Sequence, residues 1–186
     1  MKRALDIAVS LAGLVLLSPL FLALAVAVRL GSPGSVLHWS RRVGRRNRIF
    51  PMPKFRTMRT GAPDVATHLL DDPDAWITPF GRVLRRSSLD ELPQLWSVLK
   101  GDMSLVGPRP ALFNQDDLVA LRTEAGVDAL RPGLTGWAQI NGRDELPIPE
   151  KARLDREYLE RMSLAFDLRI IAVTAFAALS GRGVAH

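Results

Sequence analysis

The sequence predicts a mainly α-helical membrane protein with one small β-hairpin, an N-terminal apolar helix-break-helix, and amphipathic helices suited to an interface. Three observations carry this. An uncharged apolar run opens the chain, a proline interrupts that run, and helical spacing of apolar residues dominates the remainder of the chain. The chain has 186 residues, with 25 Lys+Arg against 19 Asp+Glu, a net charge of +6 and no cysteine. This length suits one domain with a real core. The lack of cysteine excludes a disulfide scaffold, a thiol nucleophile and thiolate metal sites. Three scattered histidines argue against a His-ligated metal. At 47% apolar the chain is not disordered.

From Ile7 to Val28 no residue is charged. As one straight helix these residues would extend about 33 Å, enough for a hydrocarbon core of about 30 Å. Three readings compete: a cleaved signal peptide, a spanning helix and a re-entrant hairpin. Asp6 spoils the positive start of a signal peptide, and the apolar run continues past Ala23-Leu24-Ala25, where a cleavage site would lie. Pro19 lacks an N–H and its ring clashes one turn back, so a break is expected at Ser18-Pro19. The halves would be only about 21 and 16 Å long. Lys2 and Arg3 precede the run and Arg29 with a basic block follows it. A hairpin keeps both basic ends on one face, with Lys2 and Arg3 as interfacial anchors. The residues favour a re-entrant segment over 1–30, followed by one integrated cytoplasmic-face domain over 31–186.

Gly31-Ser32-Pro33-Gly34 is a turn. Val36–Trp39 and Ile49-Phe50 flank Gly44–Asn47 and predict a β-hairpin. Eight Arg/Lys and no acid lie between His38 and Thr60 (Arg41, Arg42, Arg45, Arg46, Arg48, Lys54, Arg56, Arg59). Beside a membrane segment such a block suits an anionic leaflet, with some members held back for a phosphate. Gly61–Ala75 reads as a loop with a short helix, in which Asp72-Pro73-Asp74 is a turn rather than a metal–nucleotide motif. Pro79–Gly101 has the 3–4 apolar spacing of amphipathic helix. Phe113–Gly126 reads as a helix, Arg131–Arg143 as a loop and Glu150–Arg161 as a charged helix. Leu164–Leu179 reads as a helix that is buried or lies in the interface. Asp102, Asp155 and Tyr158 read as structural, and Trp137 as core or an interface anchor.

Chemistry concentrates in Arg85–Leu95. Ser88-x-x-Glu91 fits a capping box, yet Pro93 prefers a first helical position, which would put Asp90 and Glu91 at a helix mouth. Adjacent carboxylates on a helix diverge by about 100°, so they cannot flank one bond and suit a division of labour: one attacks, the other holds a cation. A carboxylate attacking a phosphate meets charge repulsion, which Mg²⁺ and guanidinium groups must cancel. Arg85 and Arg86 lie nearby, and Arg109 is locked between Pro108 and Pro110.

Four motifs extend this reading: Lys54-Phe55-Arg56-Thr57-Met58, Ser88–Leu95, Gly101–Pro110 and Arg131–Arg143. Together with Lys2-Arg3-x-x-Asp6 and Ser18-Pro19, they resemble the bacterial sugar transferases, monotopic polyprenyl-phosphate glycosyl-1-phosphate transferases, over essentially the whole chain and in a minimal catalytic form. The resemblance implies a re-entrant helix broken at Ser18-Pro19. It implies an enzyme that moves a sugar-1-phosphate from a UDP-sugar to a polyprenyl phosphate through a covalent Asp90 intermediate, at the cytoplasmic face of a bacterial inner membrane and at the start of glycoconjugate synthesis. Asp90 is the implied nucleophile, Glu91 with Asp90 the implied Mg²⁺ site, and Arg85, Pro108 and Arg109 the implied phosphate or nucleotide contacts. Lys54, Arg56, Gln139, Asn141 and Arg143 are further candidate substrate contacts. Partners would be the UDP-sugar, the polyprenyl phosphate and membrane lipids, with homo-oligomerisation left open. Departures at Leu37–Arg41 and Asp144–Pro147 leave the sugar undefined, with a lean to an N-acetylated amino sugar. A nucleic-acid-binding module is disfavoured by 6% aromatics and the absence of any such motif. A scaffold without chemistry is disfavoured because both carboxylates are present.

Overall fold

The computed structural model describes residues 1–62, 72–142 and 146–180. Helices α1 (Lys2–Leu16) and α2 (Ser18–Gly31) form the apolar run and are bent by 62°. A single straight helix is not built, and among the described residues no single helix is long and apolar enough to cross a membrane. The break is local chemistry. Pro19 offers no N–H to the Val15 carbonyl one turn earlier, and the Ser18 hydroxyl donates to that carbonyl instead at 2.8 Å.

The first helix is stitched to the rest of the chain by polar groups. Asp6 is 3% exposed, and its Oδ1 accepts from Ser104 Oγ at 3.1 Å and the Leu105 N–H at 3.0 Å. Ser10 Oγ turns back onto the Asp6 carbonyl at 2.6 Å. Lys2 and Arg3, expected as interfacial anchors, make their hydrogen bonds to protein groups. Lys2 Nζ donates to Asp167 at 2.6 Å and to the Val106 carbonyl at 2.9 Å, and Tyr158 donates to the same Asp167 carboxylate at 2.6 Å. Arg3 donates to the Val98 and Leu99 carbonyls. Both carbonyls lie in the last turn of a helix, where the intrahelical acceptors run short of donors, and the Val98 carbonyl also takes the Gly101 N–H.

Strands β1 (Leu37–Val43) and β2 (Ile49–Phe55) pair antiparallel from Leu37↔Phe55 to Val43↔Ile49. The hairpin is longer than its sequence signal, and Arg46 and Asn47 take positive φ in its 3₁₀ turn. Within α3 (Pro73–Trp76), Asp74 pairs with Arg82, and just before it Asp72 accepts from the Ala75 N–H; the Asp72-Pro73-Asp74 stretch thus opens a short helix, with Asp72 at its N-cap, where a turn was expected.

The amphipathic pattern over Pro79–Gly101 forms two helices, not one. Helix α4 (Pro79–Ser87) is capped by Thr78, whose hydroxyl accepts from the Gly81 N–H at 2.9 Å. Ser88 is left-handed (φ 55°), Leu89–Glu91 is a 3₁₀ turn, and α5 (Gln94–Lys100) follows Pro93. A left-handed Ser88 makes no side-chain cap, so the capping box is corrected. Leu89 and Leu92 pack with Leu24, Val28, Phe55 and Leu84, whereas Leu95 and Val98 join the main core with Met52, Met103, Val106, Tyr158 and Ile170. The turn that carries Asp90 is therefore fixed on both flanks by apolar contacts.

Helix α6 (Asp116–Glu124) begins three residues later than expected. Part of the expected loop 131–143 is a strand: β4 (Gly133–Thr135) pairs in parallel with β3 (Ser104–Val106). A Cβ on Gly133 would lie 2.1 Å from the Gly107 nitrogen, so its glycine serves close backbone approach as well as turning. Helices α7 (Trp137–Ile140), α8 (Ile148–Arg161) and α9 (Leu164–Ser180) follow among the described residues. As expected, Asp155 and Tyr158 are structural, each 1% exposed and bonded inside the core.

Asp6→Ala removes the acceptor for a buried amide and a buried hydroxyl. The expected cost is about 3 kcal/mol, a fall of roughly 6–12 °C in Tm for a chain this size. Thermal unfolding of the detergent-solubilised protein checks it, and Asp6→Asn, which keeps an acceptor oxygen, should recover most of the loss.

Candidate active site

Asp90 projects from the 3₁₀ turn and is 7% exposed. Burial, then the neighbouring Glu91 carboxylate, pushes its carboxyl up to about 6, while Lys54 and Arg85 pull the other way. Lys54 comes from β2, opposite His38 in the hairpin. Burial, then the Arg42 guanidinium, lowers its ammonium to about 8, opposed by Asp90 and Glu91. Arg85, from the last turn of α4, donates through Nε to Thr57 Oγ1 at 2.9 Å, and burial lowers its guanidinium as well. Arg109 reaches across from the Pro-Arg-Pro loop and donates through Nη2 to Glu91 Oε1 at 3.1 Å. That loop is pinned to β4: the Gly133 N–H donates to the Pro108 carbonyl at 2.8 Å and the Gly107 N–H to Thr135 O at 2.9 Å.

The site thus sets two adjacent carboxylates among Lys54, Arg85 and Arg109. Buried carboxylates are costly unless paired, so the cations hold Asp90 ionisable near neutral pH. The same cations form a cradle for an anion. As a metal site the pair is incomplete alone: among the described residues no cluster of three or more His, Cys, Asp or Glu is placed to hold an ion. The donor chemistry, two carboxylates, is of the hard-oxygen kind that Mg²⁺ takes, an ion that keeps waters and is usually completed by substrate phosphates.

The structure brings together Asp90, Glu91, Lys54, Arg85 and Arg109; Pro108 lies beside Arg109 in the loop with its carbonyl on the Gly133 N–H, and Arg56, Gln139 and Asn141 are not spent there. Arg56 is 7% exposed, and its two terminal nitrogens donate to the Pro33 and Ser32 carbonyls at 2.5 and 2.7 Å. It ties the end of α2 to the hairpin, because a long buried guanidinium needs several acceptors and the turn supplies them. Gln139 Nε2 donates to the Leu134 carbonyl and Asn141 Nδ2 to the Trp137 carbonyl. Both stabilise their own turn, where short amide side chains find backbone partners first. Arg143 lies outside the described residues. Sequence reasoning missed Thr57, Arg42 and Arg122. Arg42 donates to the Pro110 carbonyl at 3.1 Å and to Ser40 Oγ at 3.0 Å. Strand alternation was its signal, since Ser40 is buried on β1 between exposed Trp39 and Arg41.

A family model described as bacterial sugar transferase matches residues 1–181. The chain is 45% identical over 165 residues to a UDP-glucose:undecaprenyl-phosphate glucose-1-phosphate transferase of Xanthomonas campestris pv. campestris, covering 84% of this chain and 34% of that protein. It is 39% identical over 183 residues to the protein of the same name in Escherichia coli K12, covering 95% and 39%. It is 37% identical over 199 residues to the exopolysaccharide production protein ExoY of Rhizobium meliloti, covering 98% and 87%. The chain therefore spans little more than a third of the first two relatives and most of the third.

The Asp90 carboxyl is about 6 in the folded chain against 3.8 for an ordinary one, so the folded state holds an extra proton between those values. Its contribution to stability is fully present below 3.8 and is lost as pH rises through 6. Asp90→Asn should therefore melt above the wild type at pH 7, with the gap closing by about pH 4; melting curves across that range check it.

Proposed function

Because the chain belongs to the bacterial sugar transferase family, we propose that it transfers a sugar-1-phosphate from a UDP-sugar to undecaprenyl phosphate or a similar polyprenyl phosphate. The observation that carries this reading is a buried carboxylate, raised to about 6, set among Lys54, Arg85 and Arg109. Such a group is ionised at neutral pH yet poorly hydrated, as an attacking oxygen should be.

In the first step an Asp90 oxygen forms a bond to the phosphorus that bears the sugar. The bond from that phosphorus to the bridging oxygen breaks, and UMP leaves with that oxygen. In the second step a lipid phosphate oxygen attacks the same phosphorus, and Asp90 leaves as a carboxylate. The bond between sugar and phosphate oxygen is never broken, so the anomeric configuration persists. Lys54, Arg85 and Arg109 offset the repulsion between carboxylate and diphosphate. Glu91, with Asp90, would hold Mg²⁺, which supplies further neutralisation of diphosphate charge when bound. Arg109, shared with Glu91, orients that carboxylate.

The bent pair α1–α2 supports a membrane setting at the cytoplasmic face of a bacterial inner membrane. Leu16, Leu22 and Leu30 on it are 77%, 68% and 82% exposed, and Phe176 on α9 is 69% exposed. Both ends of the pair are bonded to the same body, Arg3 to α5 and Arg56 to the turn after α2. This geometry favours a chain that dips in and returns over one that crosses. A soluble nucleotide and a lipid can then meet at one carboxylate. The relatives' names point to polysaccharide production for the glycan made, and they include both glucose and N-acetylgalactosamine transferases.

UMP release by membrane-extracted protein with Mg²⁺, undecaprenyl phosphate and a panel of UDP-hexoses and UDP-N-acetylhexosamines tests the reading. Asp90→Asn should abolish it, and varying both substrates should give parallel initial-rate lines. Converging lines, or full activity of Asp90→Asn, would overturn the covalent scheme. The profile of kcat/KM against pH should be a bell, its rising limb set by Asp90 ionising, below about 6 where Mg²⁺ is held beside it, and its falling limb by Lys54 losing its proton at about 8. Lys54→Met should remove the falling limb and move the rising limb to higher pH, because Asp90 loses a cation.

A further inference from the structure

Arg109 acts from a loop, and what holds that loop lies outside the site. Arg122, on α6, is 9% exposed, and Asp155, on α8, is 1% exposed. Arg122 places Nε at 2.9 Å and Nη2 at 2.6 Å from one oxygen, Asp155 Oδ2. Its remaining nitrogen, Nη1, donates to the backbone carbonyl of Arg109 at 2.9 Å. Burying an ion pair is seldom the stable choice, and apolar residues of similar volume often serve the core better. A pair that exports its last donor to one particular carbonyl does something an apolar pair cannot.

The neighbouring carbonyls show the same arrangement. Val106 O accepts from Lys2, Pro108 O from the Gly133 N–H, and Pro110 O from Arg42. A cavity of about 30 Å³ lies behind the loop, lined in part by Pro108, Ala111, Arg122 and Pro132. That is room for a water molecule, and room into which an unheld loop would settle.

We infer that Arg122, oriented by Asp155, is a positioning residue: it fixes the peptide of Arg109 so that the Arg109 guanidinium stands ready at Glu91 and the donor's phosphates. The inference rests on the transfer reaction under Proposed function. Arg122 touches no substrate and acts through Arg109 alone. A shift of about an ångström in a charge-bearing loop is enough to spoil phosphate alignment.

The test replaces the pair with apolar residues of like size, Arg122→Met with Asp155→Leu, so that no unpaired charge is buried. Kinetics use whichever UDP-sugar gives UMP release with the wild type, and absence of release from every donor would end the underlying reading rather than this one. The double variant should keep its Tm within a few degrees and raise the KM for the UDP-sugar about tenfold, with the KM for undecaprenyl phosphate unchanged. Added to Arg109→Ala, it should change the donor KM no further, because residues acting in series are not additive. Unchanged donor KM in the double variant, or a full additional loss on the Arg109→Ala background, would overturn the inference. Where the double variant does not fold, Arg122→Lys serves. It keeps the charge opposite Asp155 but lacks the fork that spans carboxylate and carbonyl, so the same rise in donor KM is expected, and a wild-type value counts against the assignment.

Discussion

Two carboxylates on consecutive residues, one of them buried, are a destabilising arrangement, and much of the surrounding architecture answers it. Asp90 is raised by burial and by Glu91, and is brought back toward ionisation by Lys54 and Arg85. Each of those cations is itself perturbed in the opposite sense, since burial lowers both. The charges are mutually dependent: remove one and its neighbours lose the reason they tolerate poor hydration. The hairpin delivers Lys54 to this point, α4 delivers Arg85, and the rigid loop after β3 delivers Arg109. The apolar residues flanking the 3₁₀ turn, Leu89 and Leu92 on one side and Leu95 on the other, resist the repulsion by leaving the carboxylates nowhere else to go.

Holding this geometry falls partly to the apolar N-terminus. A helix whose outer surface is leucine and valine would ordinarily be read as an anchor and nothing more. Here its first three turns carry Lys2, Arg3, Asp6 and Ser10 inward, where Lys2, Arg3 and Asp6 satisfy the ends of α5 and β3. One face of α1 belongs to the core and the other is left apolar and exposed.

The sequence was legible where local chemistry decides the outcome. The Ser18-Pro19 break, the hairpin around Gly44–Asn47, the charged helix ending at Arg161 and the Asp90-Glu91 pair all follow from nearest neighbours. It was less legible where tertiary contact decides. The periodicity over Pro79–Gly101 cannot reveal that Ser88 turns left-handed, and glycines at 133 and 136 look like loop whether or not a strand pairs there. Lys2, Arg3, Arg56, Gln139 and Asn141 share the same limit. A basic or amide side chain in a dense motif suggests a ligand, but a buried backbone carbonyl is an equally good acceptor, and only the fold shows which is nearer. Arg42 and Arg122 were overlooked for the converse reason: one sat in a run of arginines, the other in an ordinary amphipathic helix.

The inward face of α1 bears on how this protein can be handled. Trimming away the greasy amino-terminal stretch to obtain a water-soluble enzyme would strip hydrogen-bond partners from Val98, Leu99, Ser104, Leu105 and Val106 in a single cut. The lipid-compatible part and the reactive part are one cooperative piece, so solubility has to come from repainting the outer leucines of that helix while leaving its inner polar side intact.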